Sequence, residues 1–253
     1  GRTDQLPVLQ HALFRTWNEW AKKKDGPIDL NHYEVIGGLR GALSQHANEA
    51  LRDDDLADTA LIFKRLTDTD PNQRRIRRPA HLKELIALCG GRADAVNGII
   101  ERFRGDGRSF LVVSNARDGD RRIDISHESL IRQWPQLRHW IDEERVSRDQ
   151  FLELVKRARG KAALLWNPDL DLALKWKAEK NPSQEWAARY SAKPDDYEVA
   201  MRYLADSKAD ADAWARRTRN RHIALWTAAV VVMLTLSGLM LYAFSQQRKA
   251  VQA

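Results

Sequence analysis

Apolar residues recur every three or four positions along most of the chain, and this spacing predicts a mainly α-helical protein. The first helix is predicted from a stripe of large apolar side chains at Leu6, Leu9, Leu13, Trp17 and Trp20. Pro7 stands near its start, where a missing N–H is tolerated. Further helices are predicted at residues 39–51, 55–67, 81–89, 93–103, 151–166, 170–179 and 195–220.

The order of elements in residues 53–126 predicts a winged helix. The helix at 55–67 is followed by an extended piece at 74–78 and then by the helices at 81–89 and 93–103. Two strand-like runs come next, and they are predicted to form a small β-hairpin with its turn at Asp118-Gly119. The two runs are residues 109–114 and 121–126.

Ser126, His127 and Glu128 lie where the second hairpin strand passes into the next helix. Ser126 is expected to cap that helix, and Glu128 to favour the positive end of its dipole. His127 is placed to donate a hydrogen bond to an anion bound there. The helical stripe at 130–141 is broken at Pro135, where we expect a kink or a new helix start.

The longest apolar run, residues 223–244, has 22 residues and no ionisable side chain. At about 1.5 Å per residue it covers about 33 Å, enough to cross a hydrocarbon core of about 30 Å. Trp226 and Tyr242 stand near its ends, where amphipathic rings favour the headgroup layer. The helix at 195–220 is expected to run straight into it. We therefore predict a single-pass membrane anchor.

Basic residues on the two flanks of this run predict its orientation. Four arginines precede it, at positions 216, 217, 219 and 221, against Arg248 and Lys249 after it. This bias places the N-terminal body in the cytoplasm, with the helix in the cell inner membrane. The formal charge of the chain is +7, and because these six residues supply most of it, charge alone gives little support to a nucleic-acid-binding class.

The sequence shows no motif for catalysis. It lacks a Gly-x4-Gly-Lys-Ser/Thr phosphate loop, a His-Glu-x-x-His or paired-cysteine metal motif, and a Gly-x-Ser-x-Gly turn. Cys89 and His81 could be drawn as a thiol pair, but a cysteine on an apolar helix face is more often part of the core. We therefore expect no catalytic residue, no metal site and no catalysis by this chain alone. A single cysteine also suits a reducing compartment.

Arginines around the predicted winged helix leave a DNA-binding alternative open. Beside a recognition helix at 93–103 they could contact phosphates, or they could form a solvated basic face. They are Arg74, Arg75, Arg77, Arg78, Arg102, Arg104 and Arg108. The alternative is a membrane-tethered winged-helix transcription regulator.

Three stretches together resemble a known family. They are Gln5-Leu6-Pro7-Val8-Leu9-Gln10-His11-Ala12-Leu13, then Tyr33 with Gly37-Gly38 and Gly41-Ala42-Leu43, then Ile125-Ser126-His127-Glu128-Ser129-Leu130-Ile131-Arg132-Gln133-Trp134. This set resembles the C-terminal half of STAND-class signalling NTPases, in the bacterial branch often fused to WD repeats, over about residues 1–190.

The resemblance implies a nucleotide switch. In that class a P-loop ATPase core is followed by a helical domain and a winged helix that closes over ADP, and nucleotide exchange allows assembly. Pro7 then matches the proline of a Gly-x-Pro motif near the nucleotide, although Gln5 replaces the glycine. His127 matches the histidine of a Met-His-Asp motif that contacts the β-phosphate of ADP, although Ser126 and Glu128 differ from its usual neighbours.

The resemblance also implies cofactors and partners. ATP or ADP with Mg²⁺ is expected to be bound mainly by an ATPase core upstream, because the chain begins with Gly and lacks the P-loop. The expected partners are the membrane, that core, a second copy of the protein and a downstream repeat domain, with DNA only under the alternative.

The chain is predicted to divide into five segments. These are a helical segment (1–52), a winged helix (53–126), a helical region (127–221), a transmembrane helix (222–245) and the start of a post-membrane segment (246–253).

Overall fold

The structure, a computed structural model, describes the backbone of residues 5–24, 26–70, 74–105, 107–116 and 119–251, and within these ranges the side chains of residues 6–240. The chain divides into two compact units, Gly1–Gln150 and Phe151–Ala253. It is mainly helical, with small antiparallel sheets and one long apolar helix at its C-terminal end. The predicted fold class is confirmed in these terms.

Short helices and strands alternate in the first unit. Its helices are α1 (Gln5–Ala21), α2 (Leu30–Val35), α3 (Gly38–Asn48), α4 (Leu56–Arg65), α5 (Leu82–Leu88), α6 (Ala93–Arg104) and α7 (Glu128–Gln133), with a 3₁₀ turn at Asp53–Asp55. Its strands are β1 (Thr67–Thr69), β2 (Arg75–Arg77), β3 (Ala80–His81), β4 (Leu111–Asn115) and β5 (Arg121–Ile125). Helix α8 (Pro135–Arg159) follows, and the division between the units falls within it.

Both sheets are antiparallel. Strands β1 and β2 form a pair in which Asp68 lies opposite Ile76. The other sheet has the order β3-β5-β4, and Val113 lies opposite Ile123 in its hairpin. The predicted sequence of helix, strand, two helices and hairpin is therefore observed, while β1 and β3 were not predicted. Asp118, predicted in the hairpin turn, lies outside the described residues.

An aromatic cluster forms the centre of the first unit. Phe63 on α4 packs against Phe103 on α6 and against Trp134, with ring centroids 4.8 and 5.1 Å apart. Trp134 also packs on Trp140, at 5.5 Å. The Trp134 side chain is fully buried, and its Nε1–H donates to Oδ1 of Asn48 at 2.7 Å. This bond satisfies the indole donor, which burial would otherwise leave unpaired.

Helix α1 turns its large apolar stripe away from this core. The side chains that it buries are the smaller ones of Val8, Ala12 and Thr16. The predicted stripe is largely exposed: Leu6 is 62% exposed, Leu9 44%, Leu13 58% and Trp17 53%. The sequence thus predicted the helix correctly, and the structure shows that its stripe is not covered by the described residues.

Pro135 begins a new helix, as one of the two outcomes predicted for it. Helix α7 ends at Gln133 and α8 begins at Pro135, since proline at the first helical position needs no N–H partner. Helix α8 then continues to Arg159, so the separate helix predicted at 151–166 is wrong in both bounds.

The second unit is built from helices around its own core. After the end of α8 these are α9 (Asp169–Lys180), the unpredicted short α10 (Gln184–Ala188) and α11 (Asp196–Val251). Phe151, Trp176 and Leu204 belong to the buried cluster. Ser207 of α11 is fully buried, and its Oγ accepts from the Leu165 N–H at 3.1 Å and donates to the Tyr203 carbonyl at 2.8 Å.

Helix α11 has 56 residues and joins this core to the apolar run without interruption. It is the one helix in the described residues that is long and apolar enough to cross a membrane. The side chains of its most apolar stretch are not buried against the rest of the described chain. The predicted continuity of the two segments is confirmed. The side chains after Met240, with Tyr242 and the predicted post-membrane segment, lie outside those described, and residues 252 and 253 lie outside altogether.

Candidate functional site

His127 stands at the junction of β5 and α7 and is the N-cap of that helix. Its backbone is extended, and its Nδ1 accepts from the Ser129 N–H at 3.4 Å and lies 3.2 Å from Ser129 Oγ. The sequence predicts Ser126 as the cap, and this prediction is wrong, because α7 begins one residue later. The histidine side chain performs the capping itself.

This cap fixes the chemistry of the ring. A nitrogen that accepts from a backbone N–H carries no proton, so in the neutral ring Nε2 is the protonated nitrogen. Among the described residues Nε2 has no hydrogen-bond partner, and the side chain is half-buried. With Nδ1 facing the Ser129 N–H, His127 can offer its Nε2–H to an acceptor outside the described chain.

The position of His127 is held from both sides. The preceding Ser126 N–H donates to the Phe110 carbonyl at 2.9 Å. Arg77 of β2 donates to the Ile125 carbonyl at 2.9 Å. After His127, Leu130 and Ile131 are buried in the core of the first unit. An imidazole on such a frame can present a donor at a defined place.

Pro7 lies in the first turn of α1 and is half-buried. Its neighbour Val8 enters the core of the first unit. Helix α1 and helix α7 both pack against α3, so the elements that carry Pro7 and His127 share one neighbour. Pro7 itself has no N–H to offer a ligand.

The region that holds both residues can be compared with known proteins. Residues 1–163 match the family model described as Novel STAND NTPase 1. The chain belongs to this family. The match to the STAND NTPase model includes Pro7, His127 and the whole first unit. Comparisons with curated proteins and with solved structures give no match.

The arginines of the DNA-binding alternative are engaged within the protein. Arg75 donates to Asp142, Arg78 to Asp68, and Arg102 to Asp55, each at 2.7 to 2.9 Å. The remaining four also have partners within the protein. Arg74 pairs with Asp70, Arg77 with Asp124 and Arg104 with Glu101, and Arg108 donates to the Arg102 carbonyl. Phosphate contacts would have to compete with these bonds, so the structure gives the DNA reading no support.

The exposed face of α6, the candidate recognition helix, also lacks the required charge. Its exposed side chains include Asp94, Glu101 and Arg104, with Ala95 and Gly98 between them. Two acidic groups against one basic group would repel a phosphate backbone rather than attract it.

Cys89 is not a reactive thiol in this fold. Its side chain is 1% exposed, and burial, with a smaller contribution from nearby Asp58, raises its pKa to about 11. His81 instead lies beside Asp120, with Nδ1 3.5 Å from Oδ2. A thiol with such a pKa is protonated at neutral pH and is a poor nucleophile.

In the part of the chain that the structure describes, no group of three or more His, Cys, Asp or Glu side chains could hold a metal ion.

The sequence analysis missed a histidine pair in which His46 is buried and His11 is half-buried. His11 of α1 and His46 of α3 meet with 3.2 Å between ring nitrogens, and both rings contact Phe110. The three residues lie far apart in the sequence, and no motif connects them. His11 stands within the first stretch of the family resemblance, which was the only available signal.

Proposed function

We propose that the chain is the regulatory half of a membrane-anchored STAND NTPase that couples its nucleotide state to signalling. In this proposal residues 53–126 act as a winged helix that closes over ADP, and the helical region carries that state to the membrane. ATP or ADP with Mg²⁺ would be bound mainly by a P-loop core that these 253 residues do not contain. Membership of the family supports the class of the parent protein.

The single observation that carries the nucleotide contact is the capping geometry of His127, in which Nδ1 faces the Ser129 N–H. Because Nδ1 is occupied by the Ser129 cap, Nε2 is left as an N–H donor, which suits a phosphate oxygen. A donor to a charged acceptor contributes about 1.5–3 kcal/mol. Pro7 would contribute van der Waals contact and a restricted backbone conformation near the nucleotide rather than a hydrogen bond. No other described side chain is assigned to the ligand.

The exposed stripe of α1 supports a neighbouring domain. Leu6, Leu13 and Trp17 are each more than half exposed and lie on one helix face. Soluble proteins seldom leave such a patch uncovered, because covering it removes apolar surface from water. We propose that the ATPase core of the same protein packs there in the closed, ADP-bound state.

The anchor is proposed on the length and composition of α11. An exposed apolar segment of about 30 Å is the size of a hydrocarbon core. The four preceding arginines favour a cytoplasmic position for the body, with the helix in the inner membrane of a bacterial cell. Opening of the module on nucleotide exchange would then release it for assembly with further copies or with a downstream repeat domain.

The test is the affinity of the full-length parent protein for ADP. His127→Ala should weaken ADP binding by about tenfold or more, since it removes the Nε2 donor, and should raise basal signalling. His127→Asn separates the two roles of this residue: asparagine is a good N-cap but is too short to replace Nε2. It should weaken ADP binding as alanine does while keeping the stability of the protein.

His139→Ala is the matched control, because His139 is an exposed histidine on α8. It should leave the ADP affinity unchanged. If His127→Asn bound ADP as tightly as the wild type, His127 would be only a helix cap and the nucleotide contact would be rejected. Absence of a P-loop from the parent gene would reject the NTPase proposal as a whole.

A further inference from the structure

Four arginines form a collar on α11 directly before its apolar segment. They are Arg216, Arg217, Arg219 and Arg221, and all are exposed. None of them forms an ion pair with any residue that the structure describes, whereas six of the arginines around the predicted winged helix are each paired with a carboxylate. The collar thus holds four uncompensated positive charges.

The collar surrounds the helix rather than marking one face. At about 100° per residue, Arg217, Arg221 and Arg219 lie roughly 100°, 140° and 300° around the axis from Arg216. A protein partner would meet one face of the helix, and its basic contacts would lie on that face. Charges on opposite sides fit a ligand that encircles the helix.

The height of the collar matches the headgroup layer of a bilayer. Ile223 begins the apolar run, and at about 1.5 Å per residue the four Cα atoms lie roughly 3 to 10 Å before it. The polar layer of each leaflet is about 5–7 Å thick, and the long arginine side chains can reach into it from farther out.

We propose that this collar binds the headgroups of anionic phospholipids, and so gathers them around the helix. Guanidinium groups form paired hydrogen bonds with phosphate oxygens, and clustered basic residues beside a membrane span are attracted to a negative leaflet. The proposal rests on the membrane anchoring proposed above. It adds a selected lipid class to a helix that would otherwise only cross the bilayer.

The experiment uses the complete chain reconstituted into phosphatidylcholine vesicles, after flotation has shown that it is in the membrane. Trace spin-labelled phosphatidylglycerol or phosphatidylcholine is added, and electron spin resonance gives the fraction of each lipid that the protein immobilises. The anionic lipid should be preferred by about threefold or more, and high salt should reduce the preference.

Two variants locate the effect. Changing all four collar arginines to glutamine should bring the preference close to one. Changing four other exposed arginines without ion-pair partners in the described chain, Arg40, Arg52, Arg122 and Arg202, should leave it unchanged.

Equal immobilisation of the two lipids by the wild type would overturn the collar proposal while leaving the anchor intact. A preference that survives in the collar variant would also overturn it, and would assign the effect to Arg248 and Lys249. A chain that fails to float with vesicles would reject the anchor first, and the collar with it.

Discussion

His46 Nδ1 lies 3.2 Å from His11 Nε2, so a pair of imidazoles joins α3 to α1. One nitrogen must donate and the other must accept, which requires that at least one ring be neutral. Burial, followed by the positive charge of Arg15, lowers the pKa of His11 to about 4 and that of His46 to about 3. The fold therefore holds both rings neutral.

This pair predicts a loss of stability in mild acid. Because the folded pKa values lie below the ordinary 6.5, the stabilisation is complete above pH 6.5 and is lost as the pH falls toward about 4. The charged groups facing the rings are Arg15, Glu49 and Arg108. The hydrogen bond from Arg15 lowers the pKa of Glu49 below its ordinary value.

Thermal unfolding at pH 7 and pH 5, followed by circular dichroism, tests this prediction. His46→Gln should be less stable than the wild type at pH 7 but should lose less stability between the two pH values. His139→Gln serves as the control and should follow the wild type. Parallel losses in the wild type and in His46→Gln would contradict the prediction.

Two arginines on the same helix should differ greatly in their effect on stability. Arg102 donates to both oxygens of Asp55 and to the Ala50 carbonyl, all at 2.7 Å, and its side chain is 11% exposed. Arg104 forms an exposed pair with Glu101. Arg102→Ala should lower the free energy of unfolding by about 3 kcal/mol, because it leaves a half-buried carboxylate without its cationic partner.

Arg104→Ala is the internal control for this change and should cost less than about 1 kcal/mol. Urea unfolding of the chain in detergent solution measures both. Equal effects of the two substitutions would show that the Arg102–Asp55 pair contributes no more than a surface ion pair.

Asn48→Ala should destabilise the protein although Asn48 is itself exposed. The substitution leaves the Nε1–H of fully buried Trp134 without its acceptor at 2.7 Å. An unpaired buried donor costs about 1–3 kcal/mol. Asn31→Ala, at an exposed site on α2, should change the free energy of unfolding by less than about 0.5 kcal/mol. Similar urea midpoints for the two variants would argue against this role of Asn48.

Cys89 should resist thiol reagents until the first unit unfolds. It is the only cysteine, so the labelling signal has one source. With its pKa raised to about 11 and its side chain buried, the thiolate is scarce and inaccessible at pH 8. Labelling by a disulfide reagent should be slower than in urea by at least about a hundredfold. Rapid labelling of the native chain would refute the buried position.

The sequence was sufficient to predict those helices whose hydrophobic pattern extends over many consecutive residues. Helix α6 follows an apolar spacing that its own core residues Val96, Ile99 and Phe103 confirm, and α11 follows from an unbroken apolar run. Strands β1 and β3 were missed because runs of two or three residues carry no measurable period; pairing with β2 and β5 forms them.

The candidate site was less accessible to prediction. The sequence placed His127 at a helix start, but Ser126 was the better cap by propensity, and only the backbone shows which residue takes that position. Similarly, the spacing of Leu6, Leu13 and Trp17 identifies a helix face without saying what covers it. Contacts such as His11 with His46 depend on tertiary packing and leave no pattern in the chain.

Helix α11 has one further consequence, because no glycine or proline interrupts it between Asp196 and Ser237. The buried Ser207 and the apolar segment therefore share a single helical phase. Adding one residue between them would turn the apolar segment by about 100° and move it by about 1.5 Å, whereas adding seven would nearly restore its original facing. Only insertions or deletions close to a whole number of helical turns in this stretch would therefore keep the same side of the apolar segment aligned with Ser207.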